Sequence, residues 1–589
     1  PQAPLVQASD SSSLAVKATN EYGEFDRVAL ALYGLEMIVE PYRETTLSVE
    51  GGASSTSTLF HWRIVESDDS GIPLVNADPV FDVVGGREVV VMLTIPGGVY
   101  LLTVEELPRD GTTVAQGTVK INCKYVRREI RDLSEVDRVG FLDALKVYYT
   151  VPTDVGKALY GEMFMNYKYI TAVHNSQVSE SPNFCYHGGL QFFTAHLSFG
   201  LMMEKAIQAV NPRVSMPLWD YTIETATLGV DWEQSPIFSD DMFGRTQGSP
   251  GNSHQLTEGR FANISTIFDP DNTFIGEDIS PNHNAYGYIA AEYNYKDLPY
   301  MARTNSFCSL KGHSMLPSSE TFFDCFYNSD SLYSWDNCVE TFMHSDTHDH
   351  FGGAFNCAMD VRNFHDEHPE YSPEMLTFVF MTVTGLWNKQ LMSDYNDCDT
   401  QCERGTSEPC GCTCTIDAFT VSEDLVYSIA STYMTTLYSV ARGTRYISYD
   451  ETSDRPWGFV QDGVRLPDEE TMLLLRVILK IGCEPGSLGT VVTNASPMDP
   501  LFWLFHPIFE KGMHILWMSP KYRDTYDFDW VAGTCYGSAY NDLLPISEKA
   551  LGMGSGTDFL TNADLMSILH ADNPRLPFVY EKFDSWGTT

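Results

Sequence analysis

The stretch Met343-His344-Ser345-Asp346-Thr347-His348-Asp349-His350-Phe351-Gly352-Gly353 decides how the rest of the 589-residue chain is read. His344 and His348 stand four apart, so on a helix both imidazoles leave one face and can grip a single ion. Ser345 follows His344 where the zinc-protease pattern has Glu. Read alone, the pair also fits two surface or capping histidines, so other segments must supply the remaining ligands. One is Ser496-Pro497-Met498-Asp499-Pro500-Leu501-Phe502-Trp503-Leu504-Phe505-His506. A histidine in so apolar a run needs a partner, because an unpaired buried imidazole is costly; a core carbonyl and an ion both serve. Upstream lie Cys185-Tyr186-His187, then His196, an apolar helical run over 197–210, and Pro217-Leu218-Trp219-Asp220. His174 precedes them on a helical segment with Met163, Tyr167 and Ile170.

Composition bounds what such a cluster can serve. Hydrophobic residues make up 43% and aromatics 13%, enough for a large core and incompatible with disorder or collagen. With 37 Lys+Arg against 79 Asp+Glu the formal net charge is −42, which repels phosphate backbones and anionic lipid, so no nucleic acid is expected as a partner. No run reaches the roughly 18 apolar residues that a membrane span requires, the nearest being 375–387. Pro1-Gln2-Ala3 opens no signal-peptide pattern, and the residues read as a mature chain. Of the 13 cysteines, five crowd between Cys398 and Cys414 without the Cys-x-x-Cys pairs of common zinc sites. Disulfides are expected, and with them an oxidising, secretory or extracellular compartment. The sequons Asn263-Ile264-Ser265 and Asn494-Ala495-Ser496 agree with secretion and glycosylation.

Residues 1–25 are polar and small and read as an N-terminal arm. From 26 to 125, β-rich runs at 27–33, 58–65, 88–95, 99–105 and 118–125 alternate with Gly, Asp, Ser and Pro clusters, the pattern of an all-β, immunoglobulin-like sandwich with Trp62 in its core. At Ser134-Glu135-Val136-Asp137 the period switches: the tetrapeptide has the shape of a capping box, and Val136, Val139, Leu142 and Leu145 recur at helical spacing. Residues 126–589 therefore read as a mainly helical unit, with helices to about 240 and around 336–350, 465–482 and 500–517, and long ordered loops over 240–335.

Together the histidine segments resemble the type-3 copper proteins, the family of tyrosinases, catechol oxidases and haemocyanins. His344, His348, Gly352 and Gly353 match its HxxxHxxxGG helix. Ser496, Pro497, Asp499, Pro500, Phe502, Trp503 and His506 match its Ser-Pro-x-Asp-Pro-x-Phe-Trp-Leu-x-His segment. His187, His196, Glu204, Pro217, Trp219 and Asp220 match the surroundings of its first copper. The run 126–133 and Leu576-Pro577-Phe578-Val579-Tyr580 resemble its flanks, so the likeness covers roughly 126–360 and 490–585.

The resemblance implies a helical bundle around two copper ions, with His174, His187 and His196 holding copper A and His344, His348 and His506 holding copper B. Neutral imidazoles suit copper, and three per ion leave a position open for a shared dioxygen, the co-substrate. A small phenolic substrate, an o-diphenol above all, would leave as an o-quinone. Glu340, one turn before His344, is the candidate to hold a water that deprotonates the phenol; Phe502 stands where the family puts a bulky residue over the copper. Ser345 replaces an Asn found in many phenol-hydroxylating members, which leans toward catechol oxidation. Cys185 is a candidate for a thioether to His187; twelve cysteines then remain, enough for six disulfides.

Ala195, Leu197 and Phe505 depart from the family's Trp, Arg and second His, and Glu510-Lys511 stand in for an Asp-Arg pair. The largest departure is an insertion at about 354–490. It carries the cysteine cluster and His365-Asp366-Glu367-His368, which reads as a solvated loop before a second metal site. So long an insertion is expected to be a stapled lid or a surface for a homo-oligomer or extracellular partner. The competing functions are a non-enzymatic, haemocyanin-like oxygen binder and a structural extracellular protein. The β-sandwich is expected to pack near the coppers as a shield.

Overall fold

Strand-forming runs near the N-terminus pair into two sheets. In the computed structural model β1 (Ala15–Asn20), β2 (Gly23–Glu24), β4 (Thr45–Glu50) and β7 (Glu88–Val91) form one antiparallel sheet in the order β2-β1-β4-β7. β3 (Met37–Val39), β5 (Leu59–Glu66), β6 (Pro79–Gly85), β8 (Val99–Leu107) and β9 (Gln116–Cys123) form the other, in the order β3-β9-β8-β5-β6, with β3 parallel to β9. The structure describes residues 14–50, 58–107, 115–179, 186–268, 283–289, 296–312, 315–379, 392–405, 410–440, 446–533 and 537–583. Period-2 patterning decides which faces meet: Leu47, Val49, Phe60, Trp62, Ile64, Leu102 and Val104 from both sheets share one buried cluster.

Two N-terminal expectations change. Part of the arm is strand, because β1 pairs with β4 from Ala15↔Glu50 to Thr19↔Thr46. The run Arg27–Tyr33, read as β, is a helix, α1. Its Ala and Leu residues favour helix, the Asp26 carboxylate accepts from Val28 N–H at 2.8 Å, and Gly34 ends it at φ +64°. Ala29 and Tyr33, one turn apart, are its buried face.

The chain then turns helical. β10 (Tyr125–Arg127) lies parallel to β11 (Phe578–Tyr580), so the strand leaving the N-terminal sheets is pinned to the C-terminal segment. α2 (Glu135–Thr150) starts at Ser134, whose hydroxyl caps Asp137 N–H at 3.2 Å. The Asp137 carboxylate does not return to the cap; it accepts from Tyr22 (2.5 Å), Arg43 (2.8 Å) and Arg213 (3.1 Å). α3 (Tyr167–Ser179), α4 (Gln191–Val210), α5 (Leu332–Val339) and α6 (Asp346–Gly352) follow, with a π-helical turn over Glu340–Ser345 joining α5 to α6. The 240–335 stretch is mostly irregular where described, with one helix at Ser319–Tyr327.

The insertion builds its own core. α7 (Glu423–Val440) and α8 (Asp468–Cys483) contribute Val426, Ile429, Leu475 and Ile478 to a buried cluster separate from the main one. Cys398–Cys412, Cys402–Cys410 and Cys414–Cys483 staple it, and Cys308–Cys357 and Cys325–Cys338 close nearby loops. Cys402 N–H donates to Ala285 O (2.7 Å) and Arg404 to Tyr286 O (2.9 Å), docking the stapled loop on the 283–289 segment. His365 lies in the short helix Val361–Glu367, and His368 pairs with Glu370 at 3.1 Å. Buried Cys123 is unpaired, so the twelve cysteines other than Cys185 do not all pair into six disulfides as expected; Cys185, with its thioether, and Cys535 lie outside the described residues.

α9 (Pro507–Met518) completes the main core. Where α4, α9 and β10 meet, Arg127, with no side-chain exposure, donates to Glu204 at 2.6 Å and to Glu510, and Tyr580 Oη donates to Glu510 at 2.6 Å. The N-terminal β-rich region joins this body through Arg128–Glu40 (2.7 Å), Arg43–Asp137 (2.8 Å) and Tyr33–His514 (2.8 Å), and through Ala29 and Tyr33, which lie in the main core. Among the described residues none of its hydrogen bonds or ion pairs ends on the six candidate histidines, so nothing in its bonding supports a shield.

The Arg127 cluster is the part of this fold most exposed to a single change. Arg127→Met leaves two carboxylates buried without their cation, and breaking such a group costs about 3–5 kcal/mol. A denaturant titration of the metal-free variant is expected to show that loss; a midpoint within error of the parent would refute it.

Candidate metal centre

Four helical elements, one helix junction and one turn deliver the histidines. His174 comes from α3, His196 from α4, His344 from the π-turn, His348 from α6, and His506 from the junction before α9. His187 lies in the turn before α4. The ligand atoms of His174, His187 and His196 lie within 4.8 Å of one another, as do those of His196, His344 and His506. His348 joins through His344, with Nε2 to Nε2 at 2.9 Å. His196 and His506 stack with centroids 4.9 Å apart and planes at 4°. The two sets from opposite ends of the chain thus form one continuous cluster, with His196 at the seam.

Backbone carbonyls aim the rings. His174 Nδ1 donates to Asn494 O (2.6 Å), His196 Nδ1 to Phe192 O (2.8 Å), and His348 Nδ1 to Val491 O. With Nδ1–H used this way, Nε2 keeps its lone pair, the tautomer a metal needs. His174 Nε2 and His196 Nε2 lie 3.3 Å apart. The close approach of Val491 explains the glycine pair after α6: a Cβ on Gly352 would overlap Val492, and Gly353 has φ +52°.

Burial sets the charge state. His174, His196, His344 and His348 are buried, and His187 and His506 keep partial exposure, so the cluster opens on their side. Desolvation pushes His174 and His348 down to about 4 and the other four well below the usual imidazole range. All six are neutral donors at pH 7. His506 Nε2 is buried with no hydrogen-bond partner in the protein, the state expected of a nitrogen meant for an ion. The donor set fits two copper ions: neutral imidazoles only, with no thiolate or carboxylate in either group.

The surrounding residues follow the sequence unevenly. Phe502 packs 4.1 Å from His506 and 5.7 Å from His174, touching both sets. Glu340 is buried, its carboxylate accepting from Gly188 N–H at 2.9 and 3.0 Å, next to His187. Desolvation raises it to about 8, and beside it fully buried Asp336 is raised too, by burial first and by Glu340 second. Ser345 Oγ donates to Glu340 O at 2.9 Å, across the π-turn. The residues missed by sequence reasoning are Phe192 (4.5 Å from His196, 4.8 Å from His344), Phe509 (5.7 Å from His344) and the carbonyls of Asn494 and Val491. Aromatic positions in apolar helices look like core, and carbonyls leave no mark in a sequence.

Comparisons with known proteins agree with this geometry. Residues 165–373 match the family model described as the common central domain of tyrosinase. A tyrosinase-like protein of Pinctada maxima is 30% identical over 124 residues, 21% of this chain and 24% of that protein. A tyrosinase of Aspergillus oryzae is 25% identical over 209 residues, 31% and 36% of the two chains, and grixazone synthase of Streptomyces griseus is 37% identical over 83 residues, 13% and 24%. The chain thus spans between a quarter and about a third of the length of these relatives.

The depressed imidazoles leave a pH signature. A histidine whose folded pKa lies below its unfolded value of about 6.5 binds its proton only after unfolding, so its contribution falls as pH drops from about 6.5 toward 4. Metal-free His348→Gln lacks one such group and is expected to lose stability less steeply than the parent between pH 6.5 and 4.5. The slopes should differ by roughly 1.4 kcal/mol per pH unit. Parallel curves in guanidinium titrations would contradict the buried, neutral assignment.

Proposed function

From a chain whose residues 165–373 carry the central domain of the type-3 copper family, we propose an oxidase that converts o-diphenols to o-quinones, two catechols and one dioxygen giving two quinones and two waters. The observation that carries the reading is the merging of two histidine sets into one buried, neutral cluster. His174, His187 and His196 hold one copper, and His344, His348 and His506 the other. Bound there, the pair supplies electrons to dioxygen and a Lewis-acidic seat for a phenolic oxygen.

The protein's own residues do the rest. The partly exposed side at His187 and His506 is where a ring enters. Phe502 and Phe192 offer it aromatic faces and exclude water. Glu340, fastened to Gly188 N–H and raised to about 8, is the group that exchanges a proton with the incoming hydroxyl, directly or through one water. Ser345 uses its O–H on Glu340 O and has no donor left for that water, which favours diphenols over monophenols. We read residues 26–125 as an immunoglobulin-like sandwich and 126–589 as the dicopper unit; the two sheets bury a core of their own, while Ala29 and Tyr33 of α1 pack into the helical core.

One observation favours a second reading, a reversible oxygen binder. The cavity beside His196 and His506, lined also by Phe192, Phe502 and Phe509, holds only about 20 Å³, too little for a phenol. An oxygen electrode separates the two. The copper-loaded oxidase consumes oxygen steadily with catechol while quinone accumulates, at two coppers per chain; a carrier takes up oxygen once, releases it under vacuum and forms no quinone. In the oxidase, Glu340→Gln is expected to lower kcat by on the order of 10²-fold at unchanged copper content; full activity would remove Glu340 from the proton path.

A secreted chain is part of the same reading, supported by the five disulfides. Its sequons differ in access. Asn263 is exposed in a left-handed turn at φ +58°, whereas Ser496 of the other sequon is buried and Asn494 is held by His174 through its carbonyl. Peptide mass spectrometry of the secreted protein is expected to find a glycan on Asn263 and none on Asn494; the reverse pattern would contradict this.

A further inference from the structure

The 490–506 segment touches both halves of the histidine cluster. Val491 O takes the Nδ1 proton of His348, Asn494 O takes that of His174 at 2.6 Å, and the segment ends in His506. It therefore reaches one candidate copper A ligand and two candidate copper B ligands. None of these bonds would place a ring unless the segment were itself held.

The residues that hold it are neighbours on another chain segment. Ala302 N–H donates to Thr490 Oγ1 at 2.9 Å, and Thr490 N–H donates to Ala302 O at 2.7 Å. Next to Ala302, the Arg303 guanidinium makes a two-pronged ion pair with Asp499, Nε to Oδ2 at 2.6 Å and Nη2 to Oδ1 at 2.5 Å. Both side chains have no exposure. The remaining guanidinium nitrogen donates to Phe243 O at 2.9 Å and Gly244 O at 3.2 Å, so Arg303 is anchored behind as well as in front. Residues 302–303 thus grip the segment at Thr490 and again at Asp499, and the two ring-orienting carbonyls lie between the grips. Asp499 also accepts from Leu501 N–H at 2.9 Å, starting the turn that carries Phe502 and His506.

We propose that Arg303 is a positioning residue for both metal ions at once: through Asp499 it sets the segment whose carbonyls orient His174 and His348 and whose end presents His506. A planar, bidentate guanidinium fixes direction as well as distance, which a lysine at the same place does not. The inference rests on the dicopper reading, and it assigns the coupling between the two ion sites to one buried ion pair.

Cobalt(II) titration of the metal-free protein, followed by its visible ligand-field bands, tests this without any turnover. The parent takes up two equivalents. Arg303→Lys and Asp499→Asn are expected to weaken both equivalents together by 10- to 100-fold and to shift the bands, while the circular dichroism of the metal-free proteins stays that of the parent. If Arg303→Lys does not fold, Thr490→Val, which cuts the other grip, carries the same expectation. Parental affinity and bands in a destabilised variant would make Arg303 merely structural and overturn the proposal, as would weakening of a single equivalent. A parent that binds fewer than two equivalents would overturn the dicopper reading and this inference with it.

Discussion

The centre depends on a simple constraint: a buried neutral imidazole has a single N–H and must give it to something. In water each ring nitrogen is satisfied by solvent; inside the protein an unpaired one is costly. His174, His196 and His348 solve this with backbone carbonyls. The solution fixes their tautomer and leaves Nε2 facing the cluster. Burial then keeps all six rings neutral at pH 7, so no proton has to leave before a soft-to-intermediate cation binds. One desolvated environment thus supplies the charge state, the ring direction and the open lone pairs.

Meeting that constraint shapes the surrounding fold. Two of the three carbonyls come from the segment at 490–499, where two short 3-10 turns leave regular structure; the third, Phe192 O, lies one turn before His196 on α4. For Val491 to reach His348 the chain must pass close to the end of α6, which the glycine pair at 352–353 permits. The π-turn at Glu340–Ser345 belongs to the same economy of space. Its wider turn leaves His344 and His348 at 2.9 Å and places the Glu340 carboxylate on Gly188 N–H, beside His187.

The outer parts of the chain contribute differently. The N-terminal sheets and the stapled insertion each bury a core of their own; the insertion docks through short backbone contacts, and the N-terminal region meets the helical body through polar pairs and through Ala29, Tyr33, Ile38 and Tyr125, which lie in its core. The helical body is held from within by Arg127 between Glu204 and Glu510, three charged groups from distant positions without solvent. An acidic chain that buries this many carboxylates must raise their pKa values or pair them, and both occur: Glu340 and Asp336 are raised, Glu204 and Asp499 are paired.

Much of the centre was legible in the residues because its ligands are rare, polar and set at helical spacing in apolar surroundings. His344, His348 and His506 stand out for that reason, as do Trp62 and the switch to helical period at Ser134. Where local signals conflicted, reading went astray: the 27–33 run alternates like a strand, yet Asp26 and Gly34 cap it as a helix. His174 carried only a weak local pattern, and nothing in the order of residues linked Arg303 to Asp499 or marked the carbonyls of Val491 and Asn494. Spacing along a chain determines which side chains share a face, so sequence alone determined which histidines are the candidate donors and most of the helices that carry them. Which carbonyl orients which ring, that His196 sits at the seam, and that one ion pair braces ligands of both sets were decided only by tertiary structure, because those contacts join backbone and side chains that have no common period.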